Sequence, residues 1–567
     1  METHVALEQL MRDYRAKRIT RRDVMKRAVA LGLTVPAVSA ILMTGRGVAA
    51  APAGGPSSST LLRQETPKTG GTLREGYDLD FSRMDPISTN WYDPGFYALY
   101  EHVVTLDPDG NYVPQLAETW ETSEDGLKVT FTIRPNLTFH SGTPLDAKAV
   151  KAVYDAIKDP ASASPLAVLF TPVASIDAPD ATTVVLNLSN PYSDIYNVVS
   201  TGYWAIVNTV KRSELGAEYG KQEIDGSGPF TFTEWVPGSH VSVARWENYQ
   251  GSVVPYFQNK GKAYLDGIRW SAILEASQRA TLIENNEIDS LHAPAFQDIA
   301  RLESNPDLNT VRLKEWSGYF FGINHERTDL DLHEMKMRQA ISAAVNRQAI
   351  SDALLFGEGE PLYGPITTAD RYYTKDVEQF NQFNLDQAKA SVAELGWAPN
   401  GDGVLEKNGV PLAMNLVIQA ESFNQQLGQV IQDQLKQLGV QVNVQAFDRG
   451  TYFGELGKKP DAYLFYYAWP VPIDVVILFV GSATIPGPNW SQASIPEVDA
   501  AIAAWQSAGT EEALAAAGMQ FQAAIAEHLP IIPLVNRNSV WVNRKTVHGY
   551  LPHQWNLYPY YNDVWLG

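Results

Sequence analysis

The stretch Asn324 to Glu334, NHERTDLDLHE, is where this chain comes nearest to a metal-ligand set. His325, Asp329, Asp331 and His333 fall close together. Imidazole and carboxylate donors of this kind suit Ni, Zn or Mn. The same residues equally describe a solvated loop ahead of a helix, with Asp331 near the helix entry, and no metal is expected here. Glu284 and Glu287 offer the paired carboxylates of a glycoside hydrolase, but any acidic chain supplies such pairs. No H-E-x-x-H, G-x-S-x-G, P-loop or G-x-G-x-x-G occurs. The chain has no cysteine, which excludes a thiolate nucleophile and disulfides. Neither a catalytic residue nor a cofactor is expected, and a secreted hydrolase is a distant alternative.

The aromatic residues offer binding chemistry instead. There are 14 Trp, 26 Tyr and 20 Phe. Several gather in short segments: NWYDPG with Tyr92, TGYWA with Tyr203 and Trp204, EWSGYFF with Trp316, Tyr319 and Phe320, YYAWPVPID with Tyr466, Trp469 and Asp474, and PNWS with Trp490. Trp and Tyr present a flat apolar face with a polar tip, which suits enclosing a solute. Ordinary core packing competes for the same residues.

The elements that must hold them alternate in period. LKVTFTIRP sets Leu127, Val129, Phe131 and Ile133 on one face of a half-buried strand. NQQLGQVIQDQLKQLG spaces Leu427, Val430, Ile431 and Leu435 along one helical stripe, and Gly439 follows where a left-handed cap would sit. VQVNVQAF then reads as a strand, completing an αβ unit. Further helices are expected over 335–350, 385–395, 497–508 and 511–527. The class is α/β with mostly covered sheets. About 500 residues without a linker or repeat are too many for one core, so two or three domains are expected.

The front of the chain is a different object. Residues 1–50 carry nine Lys/Arg against four Asp/Glu, whereas the whole chain is at −20. The remainder is therefore strongly acidic and should repel nucleic acid and anionic lipid. A run free of charge from Ala28 to Met43 follows the basic stretch. It is shorter than the roughly 20 apolar residues that span a bilayer, and it ends in small residues, GVAAAPAG, as a cleaved export signal does. TRRDVMK, with Arg21 and Arg22, resembles the twin-arginine export motif. Residues 51–68, rich in Pro, Ser and Gly, read as a disordered leader. The protein is expected outside the cytoplasmic membrane, periplasmic or on the outer cell face.

Leu106 to Ile157 carries a longer pattern. Gln115, Leu116, Ala117, Trp120, Asp125, Gly126, Phe139, His140, Gly142 and Pro144 resemble, at matching spacings, the ABC-transporter solute-binding proteins of family 5, the peptide and nickel type. GSGPFTFTEWVPGSHVSVARWENY, RATLIENNEIDSL and GYFFGINHERTDLDLHEMKMRQAISAAVNRQAI extend the resemblance over residues 69–567. It implies a two-lobed periplasmic-binding-protein-like fold, type II with an extra subdomain, and a ligand cleft between the lobes. The lobes are expected at 69–272 plus 531–567, with a subdomain near 100–190, and at 273–530. It implies a monomeric receptor that passes a small solute, foremost an oligopeptide, to an ABC permease and its ATPase subunits. An oligosaccharide is the alternative. It also implies a structural role for His140. Peptide binders of the family often carry Trp-x-x-Asp-Tyr after the strand that here ends in Tyr466 and Tyr467, the Asp holding the peptide's amino terminus. Here Pro472 stands in the Asp position and the nearest acid is Asp474, so this anchor is shifted to Asp474 or lost.

Overall fold

A computed structural model describes residues 66–567, apart from 82–83, 90–92, 193, 468–471 and 553–557. The export segment with Arg21 and Arg22, nearly all of the leader, Tyr92 and Trp469 lie outside the described residues.

One strand organises the molecule. Ile532–Arg544 is thirteen residues long, about twice the usual length. Its first part pairs antiparallel with Gly318–Ile323 and Gly359–Pro361, and its second part with Leu308–Lys314 and Ser290–His292. The sequence explains the double duty. Ile532, Leu534 and Val535 at one end and Val540, Trp541 and Val542 at the other are all buried, as a strand covered on both faces requires. Between them lie Asn536, Arg537 and Asn538, a polar break where the chain passes from one body to the next.

Beyond Ser290–His292 the sheet continues through Thr72–Tyr77 and Gly267–Ala272 to the hairpin His240–Arg245 and Phe230–Val236. Beyond Gly318–Ile323 it continues through Ala462–Tyr467 to the parallel pair Ala413–Gln419 and Gln441–Phe447. The helix linking that pair, Ser422–Leu438, buries Leu427, Ile431 and Leu435 and ends at Gly439 with φ of +96°, a left-handed cap.

Separate cores form on the two sides. One joins residues from Leu73 to Trp270 with Trp541, Tyr550, Tyr558, Tyr560, Tyr561 and Val564. Others run from Tyr319 to Val535. This is a two-lobed α/β architecture sharing one strand. The expected boundary at 273 does not coincide with the pairing. Strands Ser290–His292 and Leu308–Lys314 join the second part of the shared strand, and Ile283 and Leu291 pack with Val542. Residues 276–314 therefore sit against the first lobe's sheet.

The first lobe carries an antiparallel four-stranded layer, Ala117–Thr122, Lys128–Ile133, Thr183–Leu188 and Val173–Asp177. Helix Ala147–Lys158 buries Val150, Val153, Tyr154 and Ile157, and Asp146 caps it by accepting from the Lys148 and Ala149 amides. Among the described residues no helix is long and apolar enough to cross a membrane.

Candidate functional site

The polar break of the shared strand opens onto the seam between the cores. Residues alternate across a strand, so Arg537, Ser539 and Trp541 share one face. Ser539 Oγ lies 3.3 Å from His292 Nε2, and His292 Nδ1 lies 2.7 Å from Asp78 Oδ1. The His292 ring is packed between Tyr77, at 5.4 Å, and Trp541, at 4.3 Å. Burial pushes the Asp78 carboxyl up, but His292, Arg279 and Arg537 together hold it below the usual carboxylate range.

The second lobe brings aromatic faces to the same place. Tyr319 packs against Tyr466 with ring centroids 4.6 Å apart, and against Phe423 at 4.8 Å. The Tyr466 hydroxyl donates to Glu315 Oε2 at 2.6 Å, and Ser317 Oγ donates to the same oxygen. The guanidinium of Arg537 lies over the Tyr466 ring at 4.7 Å. Burial pushes the Tyr319 phenol up to about 12, so it stays a neutral donor.

The residues singled out in the sequence separate into three groups. Tyr319, buried in the second lobe's core, and half-buried Tyr466 pack together beside the guanidinium of Arg537. Phe320, one residue along, points to the other face, where it stacks on Tyr467 at 5.2 Å and lines a small apolar cavity with Tyr463, Phe465, Phe479 and Ile531. Trp490 packs on that same side against Phe465 and Phe479. Tyr203 and Trp204 are buried in the first lobe's core, where Trp204 packs on Phe170 at 4.2 Å and on Tyr154. They pack there as core, remote in role from the seam residues.

Trp316 and Asp474 belong to a second contact between the lobes. Trp316 packs with Leu106, Tyr112 and Ala369. Arg371 donates to the Tyr112 hydroxyl at 3.0 Å. Asp474, in the first turn of Pro472–Val480, accepts from Trp505 Nε1 at 3.0 Å. Its other oxygen faces Asp194 of the first lobe, and both carboxyl groups are buried. Burial and the neighbouring Asp474 raise Asp194 well above the ordinary carboxylate range; burial also raises Asp474, moderated by Asp194 and Trp505.

The loop at 324–334 disperses its donors. Asp329 pairs with Arg327, Asp331 takes Lys407 Nζ at 2.6 Å and Trp397 Nε1 at 2.8 Å, and His333 lies 3.2 Å from Glu334. His325 is half-buried, and desolvation of its ring, whose Nε2 is shut off from water, drives it down to about 3. Among the described residues no cluster of three or more His, Cys, Asp or Glu side chains is arranged to hold a metal ion. His140 bonds the Gly228 carbonyl at 3.0 Å and receives the Gly226 amide at 3.3 Å, tying two loops together.

Sequence reasoning missed Arg537, Glu315, Asp78, His292, Phe423 and Asp194. Arg537 had a legible signal: it is a charge in the middle of a strand, between two apolar runs. The others are ordinary residues that only the long-range pairing brings together.

Two α/β lobes joined through a shared strand, with an aromatic and ionic seam between their cores, define a binding-protein fold. The chain belongs to the bacterial extracellular solute-binding proteins, family 5, whose middle region matches residues 111–483. It is 26% identical over 398 residues to the glutathione-binding protein GsiB of Pectobacterium atrosepticum, covering 69% of this chain and 72% of that one. The fold is shared with the oligopeptide-binding protein AppA of Bacillus subtilis, solved with a nonapeptide, at a TM-score of 0.76 and 23% identity, covering 88% of this chain and all of that one. It is also shared with NikZ of Campylobacter jejuni, solved with Ni(L-His), at a TM-score of 0.75 and 20% identity, covering 87% and 97%. Membership makes this chain an extracytoplasmic solute receptor rather than an enzyme.

Proposed function

We propose that the protein captures an oligopeptide between its lobes and delivers it, as a monomer, to an ABC permease and its ATPase subunits. The observation that carries this is the seam itself. Tyr319, Tyr466 and Phe423 form an aromatic face, and Glu315, Asp78 and Arg537 stand beside it. Peptides combine apolar side chains with charged groups, so one ligand engages both sets. Relatives named for glutathione and solved with a nonapeptide support the same class. Aromatic faces and hydrogen-bonding groups would also serve an oligosaccharide, but a charged peptide alone engages the charge of Arg537 as well as its donors. The moving bodies are proposed as 69–314 with 538–567 and 318–535, a division that the pairing of Ser290–His292 and Leu308–Lys314 with the shared strand supports. Trp316 and Asp474 are proposed to border the cleft at its far end, with Tyr92 and Trp469 as further lining. A ligand that touches both bodies favours the closed arrangement by its contacts there.

The test is a thermal-shift and calorimetry panel of di- to pentapeptides, with cello- and xylo-oligosaccharides alongside. Ligand that binds only the folded state raises the melting temperature. Peptides should do so, and Tyr466→Ala should weaken them. Stabilisation by sugars and by no peptide would overturn the assignment.

A further inference from the structure

Arg537 is a cation with unused donors. A guanidinium offers five N–H groups, yet among the described residues none of them donates a hydrogen bond, and its Nε is fully buried without a partner. The nearest carboxylate, Glu315, is 4.0 Å from that nitrogen, beyond hydrogen-bonding reach. Glu315 does not need Arg537, because Tyr466 and Ser317 already donate to its Oε2. An arginine kept only to balance charge would close that gap, since unmet buried donors are costly. Instead the Tyr466 ring, 4.7 Å away, holds the guanidinium by its face, which leaves the N–H edge free. The side chain is 26% exposed, so that edge is reachable from the seam. It lies on the strand common to both lobes, beside the aromatic face formed by Tyr319 and Phe423.

Resting on the peptide reading above, we infer that Arg537 is the anion anchor of the cleft and takes a carboxylate of the bound peptide through two parallel N–H···O bonds. The planar fork matches a carboxylate and a lysine does not. The residue next to that carboxylate would then lie against Tyr319 and Phe423. Two sources share this chemistry: the peptide's terminal carboxylate and an acidic side chain.

Titration calorimetry on the full chain separates the cases. The ligands are tri- to pentapeptides as free acids and as C-terminal amides, each with and without Asp or Glu, together with non-peptide organic carboxylates. Losing charge-assisted bonds of this kind weakens binding roughly 10- to 100-fold. Free acids should therefore bind that much more tightly than amides, and Arg537→Met should abolish the difference. Arg537→Lys should restore only part of it. If amides lacking acidic residues bind weakly but amides bearing Asp or Glu bind normally, and Arg537→Met removes the latter, the anchor stands with the side chain as its source. Equal affinity of acids and fully neutral amides on the unaltered protein, a comparison that needs no variant, overturns the inference and leaves the peptide reading standing. Binding of a non-peptide carboxylate that is lost in Arg537→Met, with no peptide bound, overturns the peptide reading and keeps the anchor. No heat from any carboxylate overturns both.

Discussion

Glu75 is wholly buried, and its partners are hydroxyls rather than cations: Tyr550 donates to it at 3.1 Å and Tyr561 at 3.3 Å. Burial pushes its carboxyl up to about 8, with the two tyrosines and Trp270 opposing. The sign follows from proton counting. In the folded chain Glu75 keeps a proton that the unfolded chain gives up near the ordinary carboxylate pKa, about 4.3. Folding therefore takes up a proton between that pH and about 8, and stability falls across this window as pH rises. Glu75→Gln keeps the shape without the ionisation, so relative to the unaltered protein it should gain about 4–5 kcal/mol at pH 8 and only about 0.5 kcal/mol at pH 4.5. Urea unfolding of both proteins at the two pH values measures this; a difference independent of pH would refute it. At this scale the sequence showed which residues were suited to a cleft, but not which way each side chain faces. Tyr319 and Phe320 are neighbours, and a strand sends neighbours to opposite sides. A one-residue shift in where the strand begins would exchange their roles. Tyr203 and Trp204 had the same composition cue as the seam aromatics and became core; helix Ala147–Lys158 supplies Tyr154 against Trp204.

The elements themselves were more legible, because their signals are local. The strand over Lys128–Ile133 buries Val129, Phe131 and Ile133 as its alternation required, and helices appear over Met335–Ala343, Leu385–Glu394, Pro496–Gln506 and Glu511–His528. What the sequence could not give was partnership. Ile532–Arg544 gives no local sign that its two halves pair with different segments, Leu308–Lys314 with the second half and Gly318–Ile323 with the first. Gly439 shows what a local signal is worth. Its φ of +96° lies where L side chains are strained, and a Cβ there would meet Leu405 Cγ at 2.9 Å and the Gly403 carbonyl oxygen at 3.2 Å. Gly439→Ala should therefore destabilise the second lobe by about 1–2 kcal/mol. The loss should appear in hydrogen exchange of Ser422–Leu438 before that of Thr72–Tyr77. Equal protection in both segments would mean the cap is dispensable.

At the scale of the whole molecule, the seam is closed at its far end by two acids facing each other. Asp194 belongs to the first lobe and Asp474 to the second. Asn197 donates to Asp194 at 3.3 Å and Trp505 to Asp474 at 3.0 Å. Arg371 draws Asp194 downward, and Tyr192 stands near both acids. Burial and the facing Asp474 outweigh the arginine, so Asp194 holds its proton in this contact more readily than it would in water. Parting the lobes would return both acids to water, where neither keeps a proton at neutral pH. Closing therefore binds a proton. The contribution of this contact is fully present at low pH and is lost as pH rises through the raised pKa of Asp194. Ligand affinity should therefore fall as pH rises from the ordinary carboxylate range through the raised pKa of Asp194. Asp194→Asn supplies a permanent donor to Asp474 and should flatten that slope, with tight binding retained at pH 8.5. Small-angle scattering should report the same trend in the liganded protein, the unaltered chain expanding with pH while the variant stays closed. An unchanged slope in the variant would place the pH dependence in the ligand instead. On the proposed reading, the two ends of the seam would then divide the labour, the ionic groups around Arg537 selecting the solute and the acid pair setting how firmly the lobes hold it.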